Sequence, residues 1–272
     1  MLSGVGTFAG ETAEQYAKYR RGYPDVVVEK IVERLRLGSD DMVLDLGCGT
    51  GLLTRALARR TRMAIGVDPE ADMLAVARRT TDADLGSKVI WLLGSDADLP
   101  SVRPLVGAHA LGAITIAQAL HFMDYETLFS DAKVLLRAGG GVAVVANGVP
   151  LWQQGSDWSR ALRTALEEWF GVEATATCGT DGATQQRYAE ALTAAGYEVF
   201  EVGHDYEEDL TFEQVLGGIH SALSPNSISV EHREAFVEHL RRALQPATIF
   251  TEAVPVRALV GVTGHLRGDP NL

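Results

Sequence analysis

The chain is poor in cysteine, in basic residues and in long apolar runs, and each shortage removes a class of protein. Its 272 residues contain two cysteines, Cys48 and Cys178. They form no CxxC pair and no metal-ligand spacing, which excludes a disulfide-stapled scaffold and a cysteine-based zinc site. No metal is expected, and the thiols fit a reducing, cytoplasmic setting. Basic residues are outnumbered 24 to 36, for a net charge of −12. A basic face for nucleic acid is therefore not expected. No apolar run approaches the length of a membrane span. Met1 to Gly10 has no basic region followed by an apolar core, so neither a membrane partner nor a signal peptide is expected. Repeats and low-complexity tracts are absent. What remains is 46% hydrophobic, enough for one large α/β domain or a core with a small cap. Nothing in composition fixes the oligomeric state.

The chain is organised around Val43-Leu44-Asp45-Leu46-Gly47-Cys48-Gly49-Thr50-Gly51. Apolar positions lead into glycines at every second position, and Leu52, Leu53, Ala56 and Leu57 follow at helical spacing. This pattern predicts a buried strand, a tight turn and a helix start. Free N–H groups at the helix start suit part of a nucleotide-like cofactor. Two other glycine motifs fit less well. A dinucleotide fingerprint needs Gly-x-Gly-x-x-Gly, and Leu52 stands where its last glycine belongs. A P-loop needs Gly-Lys-Ser/Thr, and no lysine follows Gly51. A purely structural glycine turn remains the alternative at this point.

The Asp-x-Gly-x-Gly-x-Gly pattern resembles motif I of the class I S-adenosylmethionine (SAM) dependent methyltransferases. The resemblance implies that Asp45, Gly47, Cys48, Gly49 and Gly51 hold the amino-acid end of SAM, where a carboxylate suits an ammonium. Asp68 ends the next apolar run, 19 residues after Gly49, where an acidic residue can accept from ribose hydroxyls. Pro69 follows it, so a helix cap at Asp68 is also possible. The family pattern places Met73 on the adenine, and Asp96 and Ala97 beside its amino group.

Further on, Ala117-Gln118-Ala119-Leu120-His121-Phe122-Met123-Asp124 looks like the Ala-x-x-x-His-Trp-x-Asp stretch of the trans-aconitate-methyltransferase-like group, with phenylalanine in place of tryptophan. It follows a fourth strand, so Ala117 and Gln118 face the cofactor, and His121 and Phe122 face the acceptor. His121 is a candidate general base, or else a positioning residue. Near the start, Tyr16, Tyr19, Arg20 and Tyr23-Pro24 resemble the lid of small-molecule methyltransferases. Aromatic faces suit a sulfonium and a guanidinium suits a carboxylate. Simple packing of the tyrosines on a core is the alternative.

The expected fold is α/β: a Rossmann-like seven-stranded mixed sheet with helices on both faces, plus helical cap insertions. The expected division is lid helices over 1–37 and a SAM-binding core over 38–150. A cap insertion over 151–186, containing Trp152, comes next. A core helix and sixth strand span 187–204, a second cap 205–250, and the last strand and tail 251–272. Smaller expectations are a capping box at Thr12-Ala13-Glu14-Gln15, a helix over Leu128–Leu136, and Pro255 at an edge or bulge of the last strand. Residues 1–24 are expected to order over the cofactor. The resemblance implies a methyltransferase with SAM as cofactor and a small organic acceptor, methylated on oxygen or nitrogen in natural-product (antibiotic) biosynthesis. An NAD-dependent oxidoreductase and a non-catalytic SAM-binding protein are the alternatives.

Overall fold

Alternation of strand and helix sets the architecture of the computed structural model, which describes residues 8–223 and 227–264. The expected lid start at 1–7, the stretch 224–226 in the second cap and the tail from 265 lie outside the described residues. Two helices open the described chain, α1 (Glu11–Tyr19) and α2 (Asp25–Arg34). Then follow β1 (Met42–Leu46), α3 (Leu52–Ala58), β2 (Met63–Asp68), α4 (Ala71–Arg79), β3 (Val89–Leu93), α5 (Leu99–Val106), β4 (Leu111–Ala117), α6 (Tyr125–Ala132) and β5 (Leu136–Asn147). The remaining elements are α7 (Asp157–Phe170), α8 (Gly182–Ala194), β6 (Tyr197–Thr211), α9 (Phe212–His220), α10 (Arg233–Leu244) and β7 (Ile249–Thr263).

The seven strands form one sheet in the order β3-β2-β1-β4-β5-β7-β6. Strands β1 to β5 pair in parallel, and β7 runs antiparallel to β5. Covered on both faces, the central strands read as near-continuous apolar runs. β1 and β4 are buried almost throughout. The chain builds outward from β1 to β3 and then returns to β4. The β1/β4 junction is thus the switch point where open α/β sheets leave a crevice at the carboxyl ends of their strands.

Contacts divide the chain into two compact units. The first comprises residues 1–21, 148–178 and 205–255; the second comprises 22–147, 179–204 and 256–272. The second unit holds the sheet core, with Leu44, Ile114, Phe129 and Val142 fully buried. The first has its own core, in which Phe236 and Leu240 are fully buried and Trp169 meets Phe236 edge-on at 5.2 Å between centroids. The N-terminal segment and both insertions thus share one unit, whereas α2, grouped with the lid on sequence, belongs to the second.

Several local expectations need correction. Gly10 caps α1 and Thr12 lies inside the helix, 4% exposed, so no capping box forms there. The box is made instead at α9, where Thr211 and Gln214 satisfy each other's backbone N–H groups. The helix expected over Leu128–Leu136 starts earlier, because the Asp124 side chain caps it, and Leu136 already pairs with Leu111 as the start of β5. α5 forms despite Pro100 and Pro104; Pro100 sits in its first turn, where a missing N–H costs little. Pro255 lies just beyond the β5-paired stretch of β7, which ends at Asn147 opposite Val256.

Candidate active site

The carboxyl ends of β1, β2 and β4 carry most of the residues singled out on sequence. Asp45, on β1, is 1% exposed. Its Oδ2 accepts from the Thr54 hydroxyl of α3 at 2.5 Å and its Oδ1 from the Thr115 hydroxyl of β4 at 2.7 Å. The carboxylate therefore ties two strands and a helix together behind the turn. Burial raises its pKa to about 6, against the pull of the two hydroxyls. The turn itself needs left-handed backbone, with φ of 65°, 54° and 79° at Gly47, Gly49 and Gly51. At Gly47 a side chain is excluded twice: by φ, and because a Cβ there would stand 2.5 Å from the Ala119 Cβ. The turn after β1 thus lies directly against the segment after β4. Cys48 is held by its N–H to the Val67 carbonyl at 3.0 Å, and burial keeps its thiol protonated.

Asp68, at the end of β2, is 7% exposed. Its Oδ2 accepts from the Gly49 N–H at 2.8 Å and its Oδ1 from the Glu70 N–H at 2.9 Å. One carboxylate thereby fixes the glycine turn to the start of α4. Burial raises its pKa, and the two N–H groups oppose that rise. Each oxygen keeps a further lone pair. Pro69 is exposed, and Met73 is 3% exposed in the core. Past β3, Ser95 and Asp98 form a capping box around a short turn. Asp98 makes the cap, so the half-exposed Asp96 carboxylate and the exposed Ala97 are not used by it.

Beyond β4 the backbone is strained. Gln118 adopts φ of 57°, unusual for a residue with a side chain. Its N–H bonds the Val145 carbonyl at 2.9 Å and its side-chain amide the Asn147 carbonyl at 3.0 Å, which holds the ends of β4 and β5 together. Ala117 is half-buried. His121 follows in a one-turn helix and lies against Phe122, 3.9 Å between centroids with the rings tilted by 43°. Phe122 is 52% exposed. Burial without a charged partner lowers the His121 pKa to about 4, so the imidazole is neutral at physiological pH. A base with so acidic a conjugate acid is a weak proton acceptor. Turnover measured between pH 5.5 and 8.5 should accordingly show no limb from this residue, and His121→Asn should leave the shape of the profile unchanged. A limb near pH 6.5 that disappears in His121→Asn would overturn that expectation.

The comparisons agree with this geometry. Residues 43–140 match the family model described as a methyltransferase domain. Residues 43–140 form a class I SAM-dependent methyltransferase domain. The chain is 30% identical over 155 residues to a trans-aconitate 2-methyltransferase of Pseudomonas aeruginosa, covering 56% of this chain and 50% of that protein. It is 30% identical over 129 residues to CRG1 of Saccharomyces cerevisiae, described as a probable S-adenosylmethionine-dependent methyltransferase, covering 47% of this chain and 43% of the relative. The chain spans about half the length of the curated relatives it matches. Among solved structures, the YcgJ protein of Bacillus subtilis superposes with a TM-score of 0.56 at 14% identity, covering 89% of this chain and all of that one. At that identity the likeness speaks to the fold alone.

The methyltransferase domain takes SAM as its cofactor. Three residues that hold the site together have no counterpart in the sequence analysis. Thr54 and Thr115 hold Asp45; Thr115 was visible as a lone polar residue between Ile114 and Ile116 in a buried strand. Asn147 carries the carbonyl that Gln118 grips, and nothing in its neighbourhood in the sequence marks it.

Tyr16, Tyr19, Arg20 and Trp152 lie outside this domain, in the first unit. There Tyr19 lays its ring on Gly217 of α9 and donates its hydroxyl to Glu213 at 2.9 Å. Arg20 donates to the Ser221 hydroxyl at 2.9 Å and stands 5.2 Å over the Tyr16 ring. Trp152 is 5% exposed, with its carbonyl bonded by Arg163. The α1 end and α9 are therefore joined by both packing and polar contacts. Among the described residues no group of three acidic, histidine or cysteine side chains is placed to hold a metal, and no helix is long and apolar enough to cross a membrane.

Proposed function

We propose that the whole chain is a SAM-dependent methyltransferase acting on a small organic acceptor. The observation that supports it most is the Gly49 N–H to Asp68 bond, which makes the left-handed glycine turn and the acid at the end of β2 one cradle. Asp68 has lone pairs left for ribose hydroxyls, and Asp96 lies beyond the next strand for an adenine amino group. The turn, with Cys48 and the α3 start, would take the amino-acid end; Ala117, Gln118, Met73, Pro69 and Ala97 would complete the walls. When bound, SAM supplies a methyl group made electrophilic by a sulfonium.

The protein's part is then to orient the acceptor and exclude water. A neutral, weakly basic His121 favours a positioning role. It also favours an acceptor whose nucleophilic atom is already unprotonated at neutral pH, a carboxylate or an amine of low pKa. His121 and the exposed Phe122 are the residues we assign to acceptor contact. Tyr16, Tyr19 and Arg20 are assigned to the lid that the resemblance implies, and their bonds to α9 and Ser221 make α1 and α9 one piece. The net charge of −12 argues against nucleic acid as acceptor, and the two free cysteines fit a reducing, cytoplasmic setting; a role in natural-product biosynthesis is what the family resemblance suggests.

Calorimetry should show binding of S-adenosylhomocysteine and none of NAD, and labelled SAM should deliver its methyl group to small amines or carboxylic acids. Binding of NAD without S-adenosylhomocysteine would sink the reading. Binding of S-adenosylhomocysteine with no transfer to any acceptor tried would leave the non-catalytic alternative standing.

A further inference from the structure

We propose that Trp91 is a positioning residue of the cofactor turn: its indole is the wall that fixes where Gly51, and with it the start of α3, can stand. This rests on the reading of the turn as the SAM site. Trp91 lies in β3, the edge strand, directly opposite Gly66 of β2. A Cβ on Gly66 would come within 2.5 Å of the ring, so the strand opposite is bare to receive it. An aromatic side chain covering a glycine across an edge is a common way to shield thin sheet. The ring reaches further than that duty needs, however. It crosses to the turn, where a methyl group on Gly51 would overlap its outer edge. Gly51 is the left-handed residue that opens α3.

The surroundings hold the ring and the turn as one piece. Arg55 of α3 donates to the Thr50 carbonyl at 2.6 Å and to the Thr80 hydroxyl, at the end of α4, at 3.2 Å. Its Nη1 lies 3.1 Å from where a Gly51 Cβ would be, so indole and guanidinium pack on the same residue. Arg78 of α4 donates to the Trp91 carbonyl at 3.4 Å. The turn is thus tied to Asp68 by the Gly49 N–H and braced at Gly51 by Trp91 and Arg55. A backbone cradle binds through donors whose positions must hold to a fraction of an ångström, and Trp91 is the large rigid group that sets one end of it.

Two measurements on the full chain, with S-adenosylhomocysteine as probe, test this. The first is a double-mutant cycle on Kd. Trp91→Leu should weaken binding about tenfold, or about 1.4 kcal/mol, and Trp91→Phe should restore it to within about threefold of wild type. Gly66→Ala, whose methyl group displaces the ring and would also stand 2.9 Å from the Cys48 Sγ, should weaken binding by about tenfold or more, and by clearly less in the Trp91→Leu background, where only the Cys48 contact is left. The second is emission. Trp91 is the one tryptophan of four that lies in the second unit; the others are Trp152, Trp158 and Trp169. The fluorescence change on binding should vanish in Trp91→Phe and persist in Trp152→Phe. A Trp91→Leu protein that melts lower yet binds with wild-type affinity overturns the proposal and leaves Trp91 a packing residue. Additive losses in the cycle overturn it as well. Failure of the wild-type protein to bind S-adenosylhomocysteine would instead overturn the SAM reading, and this inference with it.

Discussion

Asp68→Ala should lower the affinity for S-adenosylhomocysteine by roughly 10²-fold while leaving a folded protein. The size follows from what the carboxylate now holds. Its two oxygens accept from the Gly49 and Glu70 N–H groups at 2.8 and 2.9 Å, in a site only 7% exposed. Removing it leaves two donors unpaired, frees the glycine turn from the end of β2, and takes away the acceptor assigned to ribose. An unpaired buried donor costs about 1–3 kcal/mol, part of which falls on folding and part on binding. Asp68→Asn should lie between, because one oxygen still accepts while its NH₂ faces an N–H. Calorimetric titration measures this directly. An unchanged Kd in Asp68→Ala would remove Asp68 from the site and would make its bond to Gly49 a purely structural cap.

The sheet and its glycine turn were legible because local signals there agree with the tertiary result. β1, β2 and β4 are short apolar runs buried almost throughout, and β1 and β2 end at Gly47 and at Asp68-Pro69, so periodicity and punctuation coincide there; β3, at the sheet edge, is apolar but partly exposed and stops at Gly94. Where they disagree, the reading failed. α5 carries two prolines and forms nonetheless, since one is in the first turn and the helix is otherwise amphipathic enough to pack by Leu99 and Val102. β5, β6 and β7 run to 12 or 15 residues, well past the apolar segments that announced them, because strand pairing extends into polar sequence. The acids themselves were legible by position, but their partners were not. Thr54 and Thr115 are 9 and 70 residues from Asp45, and Trp91 is 40 from Gly51; such pairings exist only once the sheet order is known. The neutral state of His121 was hidden for the same reason, since burial is a property of the fold.

Asp45 is where structure and function can be separated, because its two roles respond oppositely to one substitution. Its folded pKa of about 6 exceeds the 3.8 of an ordinary carboxyl. The folded state therefore binds the proton more tightly. Its contribution to stability is greatest below pH 4, falls as pH rises toward 6, and is lost above, by a difference on the order of 3 kcal/mol. Asp45→Asn never ionises. Its amide can still accept from one of the Thr54 and Thr115 hydroxyls and donate to the other, which turns to suit. At pH 7.5 the Asn variant should be at least as stable as wild type, and its stability should lose the slope between pH 4 and 6. Asp45→Ala should be less stable by about 2–4 kcal/mol, because two buried hydroxyls lose their acceptor. Binding should move the other way. A ligand that carries an ammonium favours the ionised carboxylate, so wild-type affinity for S-adenosylhomocysteine should fall as pH drops below 6. In Asp45→Asn the affinity should be lower by about tenfold at pH 7.5 and flat across that range. Denaturant titrations and calorimetry at pH 4.5, 6 and 7.5 provide both readouts. If Asp45→Asn binds as tightly as wild type, the carboxylate is only a strut between β1, α3 and β4, and the ammonium must be met by the carbonyls of the turn.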